Sequence, residues 1–588
     1  MLVVPIATLA YLTVVGAGVA VVLSPRLPRD AQAALAPIAG AALVALVSVL
    51  IALGVPARPL AVAVAVVGAA VSVVGGRKVV TALRAGAVPL AVAVCAVGLA
   101  GAPALVRGDW RVTSLYGSTD AYHWTSQSRA YLHGPATAPS TVHPDRLTYE
   151  RSRSQHWAVA LPFGLLQVAW LSGADPPDVY AAFAAVVFCL LPLAGFVVAR
   201  ACLGWVSAWS AAGAFALLAN GALLFANHFS WQQQLGGTAF AFAAVGVLRL
   251  GLEPETSLRE LGLAGLLAAA ALATYRLGFA PFLGALVASV AVAYAATRRD
   301  ALRAIAWRAG MFLGVAACLA VPSLVALAEG LPDFVSSGGF STTFKREFPD
   351  GHLGEAVGLV PSIWAKQEGW PEGARLVWLV AATAVVVALL TLGAVSLRRA
   401  AAQRADFLIA GAALSVGAYL VLLLPRFASY LSFKVLAYGA PFLVLLALSP
   451  FVLALLPRSV VAALAVAALA SAGVATAATI DRARTPGALA TLPRLGKDEP
   501  VSVRLDDPWQ QAWALYYLRS QPLSVERPSF ILTGQGSSTP ASAYRHRPVD
   551  YILARAHAGP LVWRRDGIVL AAERDRSPDR PRSAVSLP

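Results

Sequence analysis

Residues 178–199 read DVYAAFAAVVFCLLPLAGFVVA, one acidic residue followed by 21 positions without a charge. About 20 apolar residues in a helix cover ~30 Å, the thickness of a bilayer's hydrocarbon core, so this stretch reads as a membrane span. It stops at Arg200, and similar apolar stretches recur in both directions: 3–23, 32–54, 59–75, 87–106, 207–226, 232–250, 259–274, 278–297, 309–328, 375–397, 406–424, 435–455 and 459–479. With 178–199 they make fourteen candidate spans. Of the 588 residues, 58% are hydrophobic and 13% charged, about half the charge of a soluble domain, which excludes an ordinary soluble enzyme. The net charge of +16 does not point to nucleic acid, because membrane bundles gather basic residues in cytoplasmic loops for insertion.

Orientation follows from those loops. Arg26 and Arg29, then Arg77, Lys78 and Arg84, then Arg200, Arg249 and Arg259, then Arg298, Arg299, Arg303 and Arg308, then Arg398, Arg399 and Arg404, and finally Arg458 fall on one side. The opposite short turns hold only Arg58, Arg276, Arg426 and Lys434, so the arginine-rich side is expected to be cytoplasmic. The first span has no basic leader and no A-x-A site, and reads as a retained helix. Cys95, Cys189, Cys202 and Cys318 show no ligand spacing and read as small hydrophobes.

The parity of the arginines bears on HWAVALPFGLLQVAWLS, residues 156–172. If this segment crossed, every later loop would invert; with Pro162 and Gly164 inside it, the segment reads as a helix at the outer interface, with Trp157 and Trp170 at its ends. The expected organisation is N-terminal transmembrane helices over 1–86, a transmembrane core over 87–480 with outer loops at 107–177 and 329–374, an extracytoplasmic α/β domain over 481–575, and a disordered tail over 576–588. In that α/β domain VSVRL reads as a strand, DPWQQAWALYYLRSQ as a capped helix, PLSVE as a strand, VDYILARA as another, and LVWRRDGIVLAAE as a hairpin. The fold class is thus a polytopic α-helical membrane protein with a small outer domain.

Polar groups that a membrane protein could have avoided mark its function, and here they crowd the outer side. GSTDAYHWTSQSRAYLHG, residues 117–134, is the sharpest pattern: Ser118 or Thr119 can cap a helix, and helical spacing puts Asp120 and His123 on one face. A carboxylate there can deprotonate an acceptor hydroxyl; equally, Asp120 can cap the helix and pair with Arg129 or His123. YLSFKVLAYGAP, residues 430–441, sets Lys434 at the mouth of an apolar span, with Tyr430, Arg426 and Arg276 at similar depth. Such cations can hold a lipid phosphate, or simply snorkel to the headgroups. In ANHFSWQQQ, His228, Trp231 and Gln232 can meet sugar hydroxyls and ring faces, while an interfacial aromatic belt explains Trp231 as well. His143, Asp145 and His156 match no metal spacing.

The long outer loop with its acidic helix, the Pro-containing interfacial segment, the later spans and the outer C-terminal domain resemble the GT-C superfamily of polyprenyl-phosphate-sugar-dependent glycosyltransferases, which includes aminoarabinose transferases, protein mannosyltransferases and actinobacterial arabinofuranosyltransferases. The resemblance is architectural over 87–588 and motif-level over about 117–180, where Asp120, Tyr122, Gly134, Pro162, Gly173 and the span from Asp178 follow the family's order. It implies that Asp120 is the catalytic base and that transfer inverts the anomeric carbon. Many members carry adjacent acids, whereas Ala121 follows Asp120, so Asp109 is the other candidate base. Some members use a divalent cation and others do not; no metal is assigned.

The expected activity is therefore transfer of a sugar from a polyprenyl-phosphate donor to a glycan, lipid or protein acceptor outside the cytoplasmic membrane, without nucleic acid. The alternatives are a polysaccharide or lipid-linked glycan transporter, which should show mid-membrane charges or inverted repeats, and a GT-C scaffold without catalysis.

Overall fold

The protein's structure, a computed structural model, describes residues 3–52, 54–111, 114–115, 120–133, 159–228, 231–275, 280–336, 351–360, 372–399, 404–424, 429–496, 499–527, 549–555 and 560–573. Two compact units divide the chain: 1–108, 158–164 and 182–481 in the first, and 109–157, 165–181 and 482–588 in the second. The sequence boundaries differ, since they place loop 107–177 with the membrane core and treat the tail as a separate domain.

The first unit is helical. In chain order it contains α1 (Val3–Leu23), α2 (Arg29–Ala52), α3 (Ala57–Arg84), α4 (Ala87–Ala100) and α5 (Ala102–Arg107). After α6 (Asp120–His133) and α7 (Ala160–Ser172) follow α8 (Pro176–Ala201), α9 (Ser207–Leu218), α10 (Gly221–His228), α11 (Gln232–Gly251), α12 (Leu258–Thr274) and α13 (Ala280–Thr297). The remainder are α14 (Leu302–Ser336), α15 (Leu353–Ala356), α16 (Glu372–Arg399), α17 (Ala405–Leu422), α18 (Ser429–Val452) and α19 (Arg458–Arg482). Among the described residues eleven helices are long and apolar enough to cross a membrane, and twelve if α9 and α10, bent by 54°, form one broken span. Of the other expected spans, 87–106 forms α4, with 14 residues, and the short α5, and 259–274 forms α12, with 17. The unit has the character of a multi-pass membrane bundle: α3 exposes Val62, Val66, Val67, Val73 and Val74, and α16 exposes Leu376, Val377 and Val380, apolar faces of the kind that lipid covers.

Small residues let these helices touch, as expected where apolar packing has no water to escape. A Cβ on Gly16 of α1 would lie 2.0 Å from the Ala36 carbonyl oxygen of α2, and one on Gly393 of α16 would lie 2.2 Å from that of Leu446 in α18. At one end of α11 the arginines are paired rather than merely solvated. Arg249 meets Asp406 at 2.8 Å and Glu253 at 3.2 Å, its guanidinium lies 3.7 Å from the Tyr294 ring centroid, and Arg404 meets Glu253 at 2.8 Å. Burial pushes the Glu253 carboxyl upward, but the hydrogen bonds and charges of Arg404 and Arg249 outweigh it and hold its pKa below the usual value.

Helix α7 has 13 residues and is buried in protein from Ala160 to Ala169, with exposure beginning at Trp170. The expected interfacial helix would show a lipid-facing stripe; over Ala160–Ala169 there is none.

The second unit carries a five-stranded sheet, ordered β4-β3-β5-β7-β6 and formed by β3 (Val501–Arg504), β4 (Leu523–Val525), β5 (Tyr551–Ala554), β6 (Leu561–Arg565) and β7 (Ile568–Ala572). β3 pairs in parallel with β4 and β5, and β7 pairs antiparallel with β5 and β6. Asp566 and Gly567, with φ of 49° and 74°, supply the two positive angles of the tight turn between β6 and β7. Helix α20 (Pro508–Tyr517) is capped by Asp507, whose Oδ1 accepts from the Trp509 and Gln510 amides at 2.8 and 3.0 Å. Its buried face carries Trp513, Leu515 and Tyr516 onto Val501, Val503, Leu553 and Leu570.

Two findings were not readable from local patterns. Tyr122 of α6 belongs to this same core, with its ring edge-on to Trp513 at 6.0 Å. A second, two-stranded sheet pairs β1 (Ser114–Leu115) antiparallel with β2 (Ala483–Arg484). Ser114–Leu115 and α6 are therefore parts of one folded unit with the tail's sheet. Trp513→Ala should remove about 3–5 kcal/mol of its stability. Limited proteolysis should then cut both the tail and residues 120–133; cleavage confined to the tail would show that the two fold separately.

Candidate functional site

The ends of three helices in the first unit bring Trp231, Tyr275 and Lys434 together. Trp231 precedes α11, Tyr275 follows α12, and Lys434 lies in the second turn of α18. The Lys434 ammonium donates to Tyr275 Oη at 2.9 Å and lies 4.9 Å from the Trp231 ring centroid and 5.6 Å from that of Tyr275. Aromatic faces of this kind hold a cation electrostatically. Phe433, fully buried, packs 5.7 Å from Trp231 and 5.6 Å from Phe225, which fixes the indole. Gln234 Nε2 donates to the Lys434 carbonyl at 3.1 Å, and Tyr438, one turn on from Lys434, stacks obliquely on Tyr275 at 6.2 Å.

Beside this cage is a buried polar stretch. His228 Nε2, Asn227 Oδ1 and Gln234 Oε1 meet no hydrogen-bond partner among the described residues, and Gln232 Nε2 donates to the Asn227 carbonyl at 2.8 Å. Unpaired polar atoms at such depth are costly, and a ligand hydroxyl is one means of satisfying them. Arg276 and Arg426 lie outside the described residues, as does the side chain of Tyr430. Tyr275 and Gln234 join the site through contacts of 159 and 200 residues' separation, which no local motif could announce.

No protein-family model and no curated protein matches this chain.

In the second unit, α6 holds the acidic candidates' neighbourhood. At about 100° per residue Asp120, Trp124, Gln127 and Tyr131 share one face, with His123 at its edge, and Tyr122 and Arg129 share the opposite one. The second face is anchored: Tyr122 enters the sheet's core, and Arg129 pairs with Asp175, which also accepts from Tyr516 Oη at 3.0 Å. Anchoring one face fixes the rotation of the other, so Asp120 has a set direction. Asp120 is half-buried, while His123 and Gln127 are buried; Trp124 Nε1 and Ser126 Oγ are buried and meet no partner among the described residues.

Asp109 has a different position. Its Oδ1 accepts from the Arg111 amide at 2.9 Å and from Arg111 Nε at 2.9 Å, and Oδ2 accepts from the same Nε at 3.2 Å. That hydrogen bonding raises the Arg111 pKa, and Asp109 is engaged by its own neighbour in the chain. Of the two candidate bases, Asp120 begins α6 and Asp109 lies in the segment between α5 and β1. The capping candidates Ser118 and Thr119, with His143, Asp145 and His156, lie outside the described residues. Among the described residues no three His, Cys, Asp or Glu side chains gather as a metal site.

Proposed function

We propose that the protein is an integral-membrane glycosyltransferase of GT-C type, moving a sugar from a polyprenyl-phosphate donor to a glycan, lipid or protein acceptor on the outer side of the cytoplasmic membrane. The observation that carries the reading is the Lys434 cage. A single helix, α11, runs from Trp231 in that cage to Arg249 in the arginine network, a length of about 30 Å. Arginine-rich ends stay cytoplasmic, so the cage belongs at the outer leaflet, at the depth where a lipid phosphate lies. In transfer, the acceptor oxygen attacks the anomeric carbon, the carbon–oxygen bond to the phosphate breaks, and the phosphate leaves on its lipid. Lys434 stabilises that developing charge, and a general base takes the hydroxyl proton, the role that the resemblance implies for Asp120. Buried His228 and Gln234 are the groups to meet sugar hydroxyls.

The direct test is incubation of purified protein with radiolabelled polyprenyl-phosphate mannose, arabinose or glucose and candidate acceptors. Label entering the acceptor supports the reading; label crossing a vesicle membrane without transfer would replace it with transport.

The orientation has its own test. Fourteen spans with an outer N-terminus return the chain to the outside after residue 481, so alkaline phosphatase fused at the C-terminus should be active. Activity of a cytoplasmic reporter at that point would invert the topology and remove Lys434 from the outer leaflet.

A further inference from the structure

A short segment, residues 351–360, lies against the start of α18 and is built from unusually specific contacts. The Gly351 amide donates to Ser432 Oγ at 3.1 Å, and Tyr419 Oη of α17 donates to the Gly351 carbonyl at 3.0 Å. A Cβ on Gly351 would lie 2.8 Å from the Phe433 Cα, so only glycine fits this approach. Farther along, Asn220 Nδ2, at the bend between α9 and α10, donates to the Ala356 carbonyl at 2.8 Å.

His352 organises the segment. Its Nδ1 accepts from the Gly354 amide at 3.1 Å, while its own amide donates to Glu355 Oε1 at 3.2 Å, a reciprocal cap on α15. Its Nε2 lies 3.0 Å from Thr383 Oγ1 of α16. The single Thr383 hydroxyl proton goes to the Leu379 carbonyl at 2.9 Å, so Nε2 must carry the hydrogen and donate to Oγ1. The Gly354 contact therefore requires the neutral ring, with Nδ1 bare, while the Nε2 donation persists in either charge state. A second proton on Nδ1 would face the Gly354 N–H and break the cap.

We infer that neutral His352 is a positioning residue for the Lys434 site, holding Gly351 against Ser432 and Phe433 so that Phe433 fixes Trp231 beneath the ammonium. The inference rests on the reading of Lys434 as the phosphate-binding cation. Around His352, Glu355 is the charged group of its own segment; α16 presents Thr383 and Ala382, α17 presents Tyr419, and α18 presents Ser432 and Phe433, with Lys434 next in the chain. Burial lowers the His352 pKa below its ordinary value, so the folded segment disfavours the proton. The stabilisation is full above the unfolded value of about 6.5 and is lost as pH falls through and below it.

The test uses the full chain in detergent, with undecaprenyl phosphate as probe. Wild-type affinity should fall at least about five-fold between about pH 7.5 and about pH 4.5, the acid end being set well below the ordinary histidine range because burial lowers this pKa. His352→Asn keeps a capping oxygen but cannot titrate, so its ratio of affinities between the two pH values should be near one apart from the phosphate's own titration. The same pH ratio in both proteins would overturn the inference. Hydrogen exchange supplies a readout without ligand: protection of the Gly351 and Gly354 amides should drop in acid in the wild type and persist in His352→Asn. If the probe binds wild type and Lys434→Ala equally, the phosphate reading fails, and exchange alone decides the role of His352; pH-independent protection in the wild type would overturn it.

Discussion

Lys434→Ala is expected to raise the apparent KM for a polyprenyl-phosphate donor, or to lower turnover, by about ten-fold or more. A hydrogen bond to a charged group is worth about 1.5–3 kcal/mol, and the ammonium is the charged group that the Trp231 and Tyr275 rings face. Lys434→Arg should restore part of the function, since the charge is kept while the cage must accept a planar, bulkier head. Tyr275→Phe removes the hydroxyl to which Lys434 donates but leaves the ring, so its effect should be smaller than that of Lys434→Ala. Wild-type donor kinetics in a folded Lys434→Ala protein would reduce the lysine to a snorkelling anchor and move the search for the phosphate site to Arg276 and Arg426.

Asp120→Asn should cut transfer by about 10² or more while leaving donor binding nearly intact, the pattern of a lost general base. Asp109→Asn should behave differently. Asp109 accepts three hydrogen bonds from Arg111, so its loss should lower stability and yield more than turnover per folded molecule. The reverse pattern, with chemistry lost at Asp109 and kept at Asp120, would exchange their roles.

The membrane bundle was legible because apolar length and arginine spacing are local quantities. The α3 break at Gly76, φ 47°, falls where the apolar run of 59–75 ends. In the tail, alternation marked β3 and β4, short apolar runs marked β5 and β7, and Asp566-Gly567 marked the turn. Pairings between distant segments were not legible. Tyr122 reads locally as an aromatic beside an acidic site, yet its ring fills the core of a sheet that begins near residue 500. Arg249 and Arg404 read as insertion signals, and both are also bound to carboxylates. In segment 351–360 the sequence marks His352 and Glu355 as polar residues of the outer loop 329–374, but not the cap they form, because a four-residue helix has no periodicity and histidine is not a usual capping residue.

The pairing of Ser114–Leu115 with Ala483–Arg484 has a consequence for how the protein is made. The helix that carries Asp120 leaves the ribosome early, but the strand that clamps its approach and the Trp513 that packs its Tyr122 are synthesised more than 350 residues later. Until the chain has grown past Trp513, that helix has no core of its own to join. A chain clipped before residue 483 would lack both partners of this region, so residues 120–133 should be open to protease in that copy even with the upstream helices in place.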